Sequence, residues 1–168
     1  MNHNEHLAPI LAFLAQVGIA VHEETLAEST FLPGLRIRRG ALVYDPAQLQ
    51  WPGDLLHEAG HLAVLPPGLR AQADDDLKEL PEADFAGEQE ALAWAYAAAA
   101  QIGLPLDVLV HDGGYKGQAA ALRQMYALGM YPGLQGLCGS GMAESPRFMQ
   151  QCGPVHYPRM LQWLRGGQ

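Results

Sequence analysis

The sequence predicts an α+β fold, helix-dominated, with a small β-sheet or hairpin packed beside one central helix. Three stretches predict it. "GLRIRRGALVYDP", residues 34–46, alternates apolar with charged or small residues around an Arg-Gly pair, which is the pattern of a hairpin. "PGDLLHEAGHLAV", residues 52–64, spaces apolar residues as a helix does, with proline in its first turn and Pro66-Pro67-Gly68 beyond its end. "DFAGEQEALAWAYAAAAQIG", residues 84–103, is alanine-rich, with Asp84 as its N-cap and Gly103 as its terminator.

Taken in order, residues 6–18 form the first helix, with Leu7, Ile10, Leu11 and Leu14 on one stripe and Gly18 at the end. A short extended piece follows at 19–22. The hairpin pairs 35–38 with 41–44, and Asp45-Pro46 closes it. Helix 52–64 comes next; Asp54 complements its positive end. Residues 69–83 are polar and acidic and read as a mobile surface loop that gates a cleft by its position between two helices. Within it, Asp74, Asp75, Asp76, Leu77 and Lys78 read as solvated, because the glycine and distal glutamate of a calcium loop are missing. After helix 84–103, "LPLDVLVHDGGYKG" reads as a short apolar segment entering a Gly-Gly turn. "QAAALRQMYALGM" reads as a helix, "YPGLQGLCGSGM" as a glycine-rich connection and "YPRMLQWLRGGQ" as a short closing helix.

The 168 residues, 49% hydrophobic and 17% charged, suit one domain over 1–168. Its metal-site core lies at 35–105 and a helical C-terminal part at 106–168. A formal net charge of −8 argues against nucleic acid as a partner, since phosphates would be repelled. The N-terminal apolar run lacks a basic lead and is interrupted by Pro9 and Gln16. That fits neither a secretory leader nor a membrane span and implies a cytoplasmic location. Cys138 and Cys152 form no CxxC pair; reduced thiols are the default and a disulfide between them the alternative.

"HEAGH", residues 57–61, carries the chemistry. Residues four apart share a helix face, so His57 and His61 can present two imidazoles to one metal ion. Glu58, one residue round, reaches a water on that metal. This is the HExxH arrangement of zinc hydrolases, in which zinc brings the pKa of its water toward about 7 and the glutamate accepts the proton. One Zn2+ per chain and a protein or peptide substrate follow as expectations. Ala59 and Gly60 are small, as suits a helix packed closely on a neighbour. The bland alternative is two half-exposed histidines on an ordinary amphipathic helix.

A catalytic zinc wants a third protein ligand. The third histidine of one zinc-protease class is absent, since Val64 and Pro67 stand at its signature positions. "EQEALAWA", residues 88–95, is similar to the E-x-x-A-x-x-F-A segment of the ImmA/IrrE-like metallopeptidases. The resemblance covers roughly 35–105 and implies a zincin-like fold, peptidase activity, Glu88 as the third ligand, and Trp94 and Ala95 packed beneath the site. Leu92 departs from the family's Asn or Asp, which would remove a hydrogen bond from behind the ligands. Glu90, about 200° further round the helix, competes with Glu88, since both cannot face one ion. Asp112, in "DGGYKG", is the remaining alternative.

For a donor to a developing oxyanion, Tyr115 is the first candidate and His111 the second. The competing readings are a loop-packing tyrosine and a satisfied surface histidine. Trp51 reads as a staple for the helix start, or else as a cleft wall. His156 and Tyr157 read as structural, and His3, His6 and His22 carry no ligand spacing. Two further functions compete with a peptidase: a zinc-binding structural or interaction module, and a metal-free scaffold.

Overall fold

The hairpin turns where Arg39 and Gly40 both take left-handed backbone angles, φ 50° and 74°, which a two-residue loop between twisted strands requires. A computed structural model describes residues 3–27, 30–75, 87–144 and 156–166. Strand β2 (Leu35–Arg38) pairs antiparallel with β3 (Ala41–Tyr44), Leu35 opposite Tyr44 and Ile37 opposite Leu42. Strand β1 (Val21–Glu23) lies parallel to β3 on its other side, giving the order β1-β3-β2. The connection back to the hairpin is pinned by buried Asp45, which accepts from the backbone N–H groups of Leu26 at 3.0 Å and Ala47 at 2.9 Å.

The register puts Leu35, Ile37, Leu42 and Tyr44 on one face of the sheet, and that face joins the core. Helix α2 (Gly53–Val64) packs on β2 and β3, contributing Leu55, Leu56 and Leu62, all fully buried. Helix α1 (His3–Val17) adds Ile10, Phe13 and Leu14. Helix α4 (Glu88–Ile102) runs against α2 over the most extensive contact in the fold. Its tryptophan, Trp94, is fully buried among Phe13 and Trp163, at ring-centroid distances of 6.1 and 5.6 Å. The indole N–H donates to the Trp163 carbonyl at 2.7 Å.

Helix α2 is held at both ends. The short helix α3 (Pro67–Arg70) turns the chain so that Arg70 donates to the carbonyls of Leu62 and Leu65, both at 2.8 Å, and of Arg165 at 2.9 Å. A cation there satisfies carbonyls that the helix leaves open. The expected loop 69–83 is thus partly built: residues 67–75 are tied down, and 76–86, with Asp84, lie outside the described residues. At the other end, a methyl group on Gly53 would sit 2.1 Å from the Val108 carbonyl oxygen, in the short helix α5 (Leu106–Leu109).

The C-terminal part departs from expectation in two places. Beyond helix α6 (Ala119–Ala127), the glycine-rich stretch contains a helix, α7 (Leu134–Gly139), instead of an open connection. Its glycines serve packing: a methyl on Gly133 would meet the Gln89 carbonyl oxygen at 1.9 Å, and Gly136 makes room for the Glu90 carboxylate. Residues 156–166 form turns where a closing helix was expected. Their polar groups are spent on α2 and α4 instead: Tyr157 donates to the Ala93 carbonyl at 2.9 Å, and the Arg165 N–H to that of Ala63 at 2.9 Å. Cys138 is a free thiol and Cys152 lies outside the described residues. Among the described residues no helix is long and apolar enough to cross a membrane.

The crossing of α2 and α4 is also a tight joint, where a methyl on Gly60 would stand 2.3 Å from the Ala91 carbonyl oxygen. Gly60→Ala must push the helices apart, and overpacking of that kind costs about 1–3 kcal/mol. Urea unfolding of the variant is expected to reveal that loss; unchanged stability would mean the joint yields freely.

Candidate metal centre

The Gly60–Ala91 joint decides which side chains meet. One turn before Gly60 on α2 stands His57, and one residue after it His61. One turn before Ala91 on α4 stands Glu88. The Nε2 atoms of His57 and His61 lie 3.3 Å apart. Glu88 sets one carboxylate oxygen 3.2 Å from His57 Nε2 and the other 3.7 Å from His61 Nε2. These three residues form a group whose ligand atoms all fall within 4.8 Å of one another.

The spacing has a chemical meaning. Ligands held at about 2.0–2.1 Å in a tetrahedron are separated by roughly 3.3 Å, which is the His57–His61 and His57–Glu88 spacing found here. Both imidazole nitrogens face one carboxylate, the donor set that suits zinc. His57 Nδ1 is buried without a hydrogen-bond partner. The two histidines are largely buried, with 13% and 7% of their side chains exposed, while Glu88 is 80% exposed. The group is therefore anchored on the protein side and open on the other.

Electrostatics sharpens the picture. Burial pushes the pKa of Glu58 up to about 7; the charge of His57 opposes this, while those of Asp54, Glu88 and Asp75 add to it. Glu88 moves the other way, down to about 2, chiefly through its hydrogen bond with His57. Burial lowers the pKa of His57, but Glu88, Glu58 and Asp54 outweigh it and leave the group above its usual value. A carboxyl poised near neutrality beside a pocket of nitrogen ligands can both take up and release a proton.

The other candidates are placed elsewhere. Glu90 points away from the histidines and lies against Gly136 of α7, where burial raises its pKa. Asp112 is exposed and pairs with Arg123 at 2.8 Å. Tyr115 sets its ring edge-on to His57, centroids 5.9 Å apart, and its hydroxyl donates to the Leu109 carbonyl at 3.0 Å. It sits in a turn of three successive left-handed residues, Tyr115, Lys116 and Gly117, a strained backbone that brings the Lys116 charge to bear on Glu88.

His111 corrects the surface reading: it is 4% exposed, and its Nε2 lies 2.8 Å from Oδ1 of buried Asp54. Trp51 stacks on the His111 ring at 4.3 Å and 6°. It also lines a surface cavity of about 560 Å³ with Pro33 and residues 47–50. The Asp54–His111–Trp51 cluster was missed in the sequence because Asp54 satisfies a simpler reading as a helix-start charge. The signal available was Gly113-Gly114: a methyl on Gly113 would strike the Trp51 ring at 2.8 Å, and one on Gly114 would meet His111 at 3.1 Å. Tyr157 is buried as expected of a structural residue.

No family model, no curated protein and no solved structure matches the chain. Any assignment of the site therefore rests on its geometry.

Glu88→Ala is expected to abolish tight zinc binding and Glu90→Ala to leave it intact, read by zinc titration of both variants. In the parent, affinity should fall as pH drops through the histidine range, because protons compete for His57 and His61. Glu88 stays charged throughout that range and sets no midpoint of its own. Zinc lost first near pH 4–5, the ordinary carboxylate range, would contradict this.

Proposed function

We propose that the chain is a zinc-dependent metallopeptidase of the zincin type, similar to the ImmA/IrrE-like enzymes, acting on a protein or peptide in the cytoplasm. The observation that carries the reading is the convergence of His57, His61 and Glu88 at tetrahedral spacing, with Glu58 next to them in sequence. The donor set fits zinc by atom type, number and separation. His57, His61 and Glu88 would hold the ion. When bound, zinc supplies a water acidic enough to ionise near neutral pH and a Lewis acid for the substrate carbonyl.

The chain's own residues do the rest. Glu58 would take the proton from the attacking water onto its carboxylate and pass it to the departing amine nitrogen. Tyr115 packs His57 in place, and the Asp54–His111 pair fixes the loop that carries Tyr115 to the first turn of α2. The open side at Glu88 leaves room for a polymer substrate.

One observation favours the second reading, a zinc-binding structural or interaction module. The Tyr115 hydroxyl is committed to Leu109, so the first oxyanion candidate offers no donor to a substrate. The Glu58→Gln variant separates the two. For a peptidase it should cut hydrolysis of a quenched fluorescent peptide pool at least a hundredfold, the scale of general-base catalysis, with zinc content unchanged. Hydrolysis that persists in that variant would sink the peptidase reading.

A further inference from the structure

Strand β2 is one of the two outer strands of the sheet, and a strand edge with open N–H groups is a template for another extended chain. Here the template is already covered, but not by a strand. The Ile37 N–H donates to Asp75 Oδ1 at 2.8 Å and the Arg39 N–H to Asp74 Oδ1 at 3.0 Å. The Leu35 and Gly40 N–H groups meet backbone carbonyls, those of Leu32 at 3.1 Å and Ala73 at 2.8 Å. Two side-chain carboxylates thus stand where the carbonyls of a partner strand would stand.

The same place selects for charge. The second oxygen of Asp75 pairs with an Arg36 guanidinium nitrogen at 2.9 Å. Arg36 Nε is buried and has no hydrogen-bond partner, so the guanidinium is used by one nitrogen where a well-placed carboxylate would use two. The pair is accessible, with 33% of the Arg36 side chain and 45% of the Asp75 side chain exposed. Helix α2, which carries Glu58, packs directly on β2, so this edge and the candidate metal centre lie on adjoining elements.

We propose that the β2 edge binds an extended peptide segment carrying an acidic side chain at the Arg36 position, and that Asp74 and Asp75 occupy that edge in the free protein as a built-in competitor. The substrate chain takes over the Ile37 and Arg39 N–H groups, and its carboxylate replaces Asp75 on Arg36. Apparent affinity is lowered by the fraction of molecules in which the edge is covered. The inference rests on the peptidase reading for its consequence, since it names the substrate class and a restraint on the same site.

The test measures binding, so that it does not depend on hydrolysis. The probe is a labelled peptide of alternating threonine and valine with one central glutamate, alongside its glutamine counterpart, followed by fluorescence anisotropy in a Glu58→Gln background. Asp75→Ala should tighten binding of the glutamate peptide at least tenfold, and adding Arg36→Gln should erase the preference for glutamate over glutamine. Equal affinity with and without Asp75, or no binding by either, overturns the proposal. In the chain that retains Asp75, saturating peptide should shift the amide resonances of Ile37 and Arg39; binding that leaves them unmoved overturns it even if Asp75→Ala fails to fold. Zinc content measured on the same samples separates the two readings. Peptide on the edge without zinc removes only the peptidase reading, and zinc-dependent hydrolysis with an indifferent edge removes only this one.

Discussion

The contact between Gly60 and the Ala91 carbonyl is the constraint on which the rest of the molecule depends. Any side chain at 60 would separate α2 from α4, and the separation would pass directly to the ligand atoms. His57 and Glu88 each sit one turn from the joint and share one short contact of 3.2 Å. Much of the remaining architecture braces that crossing. The sheet backs α2 through Leu35, Ile37 and Leu42, Arg70 closes its C-terminal end, and the aromatic group of Phe13, Trp94 and Trp163 fixes α4 from behind. Close-packed interiors transmit small displacements instead of absorbing them, so a site built on such a joint is stiff.

The charges around the joint are unbalanced in an informative way. The charges of Asp54, Glu88 and Asp75 all bear on Glu58, although Asp54 and Asp75 have partners of their own in His111 and Arg36. Burial, reinforced by those charges, holds Glu58 near neutrality, while the hydrogen bond with His57 holds Glu88 ionised. A divalent cation between the imidazoles and Glu88 would lower the cost of crowding these carboxylates, which ties the proposed chemistry to the fold's own electrostatics. In a chain of net charge −8, Arg36 on β2 pairs with Asp75, and the charge of Lys116 in the strained turn acts on Glu88.

What the sequence made legible was local. Alternation and an Arg-Gly turn fixed both strands of the hairpin to the residue, and helical spacing fixed α2 to within one position. Helical geometry alone also put His57 and His61 on one face and set Glu88 and Glu90 on different ones. What stayed hidden depends on distant partners. Gly133 and Gly136 read as breakers because nothing nearby reveals that α4 presses against them. Residues 156–166 carry helix formers, yet the Arg165 N–H bonds to α2 and the Trp163 carbonyl and Tyr157 hydroxyl to α4, which no local pattern can announce. His111 is buried because Asp54, 57 residues away, is its partner. The same holds for Asp74 and Asp75, read as solvated charges but bonded to the edge of β2.

The central claim is that two imidazoles and one carboxylate hold a single zinc ion at the α2–α4 crossing. X-ray absorption at the zinc edge of protein loaded with one equivalent tests it most directly. The account predicts a shell of nitrogen and oxygen scatterers at about 2.0–2.1 Å with histidine ring signatures, lost in Glu88→Ala. A sulfur scatterer near about 2.3 Å, which would implicate Cys138 or Cys152, or a shell of water oxygens without imidazole, would contradict it.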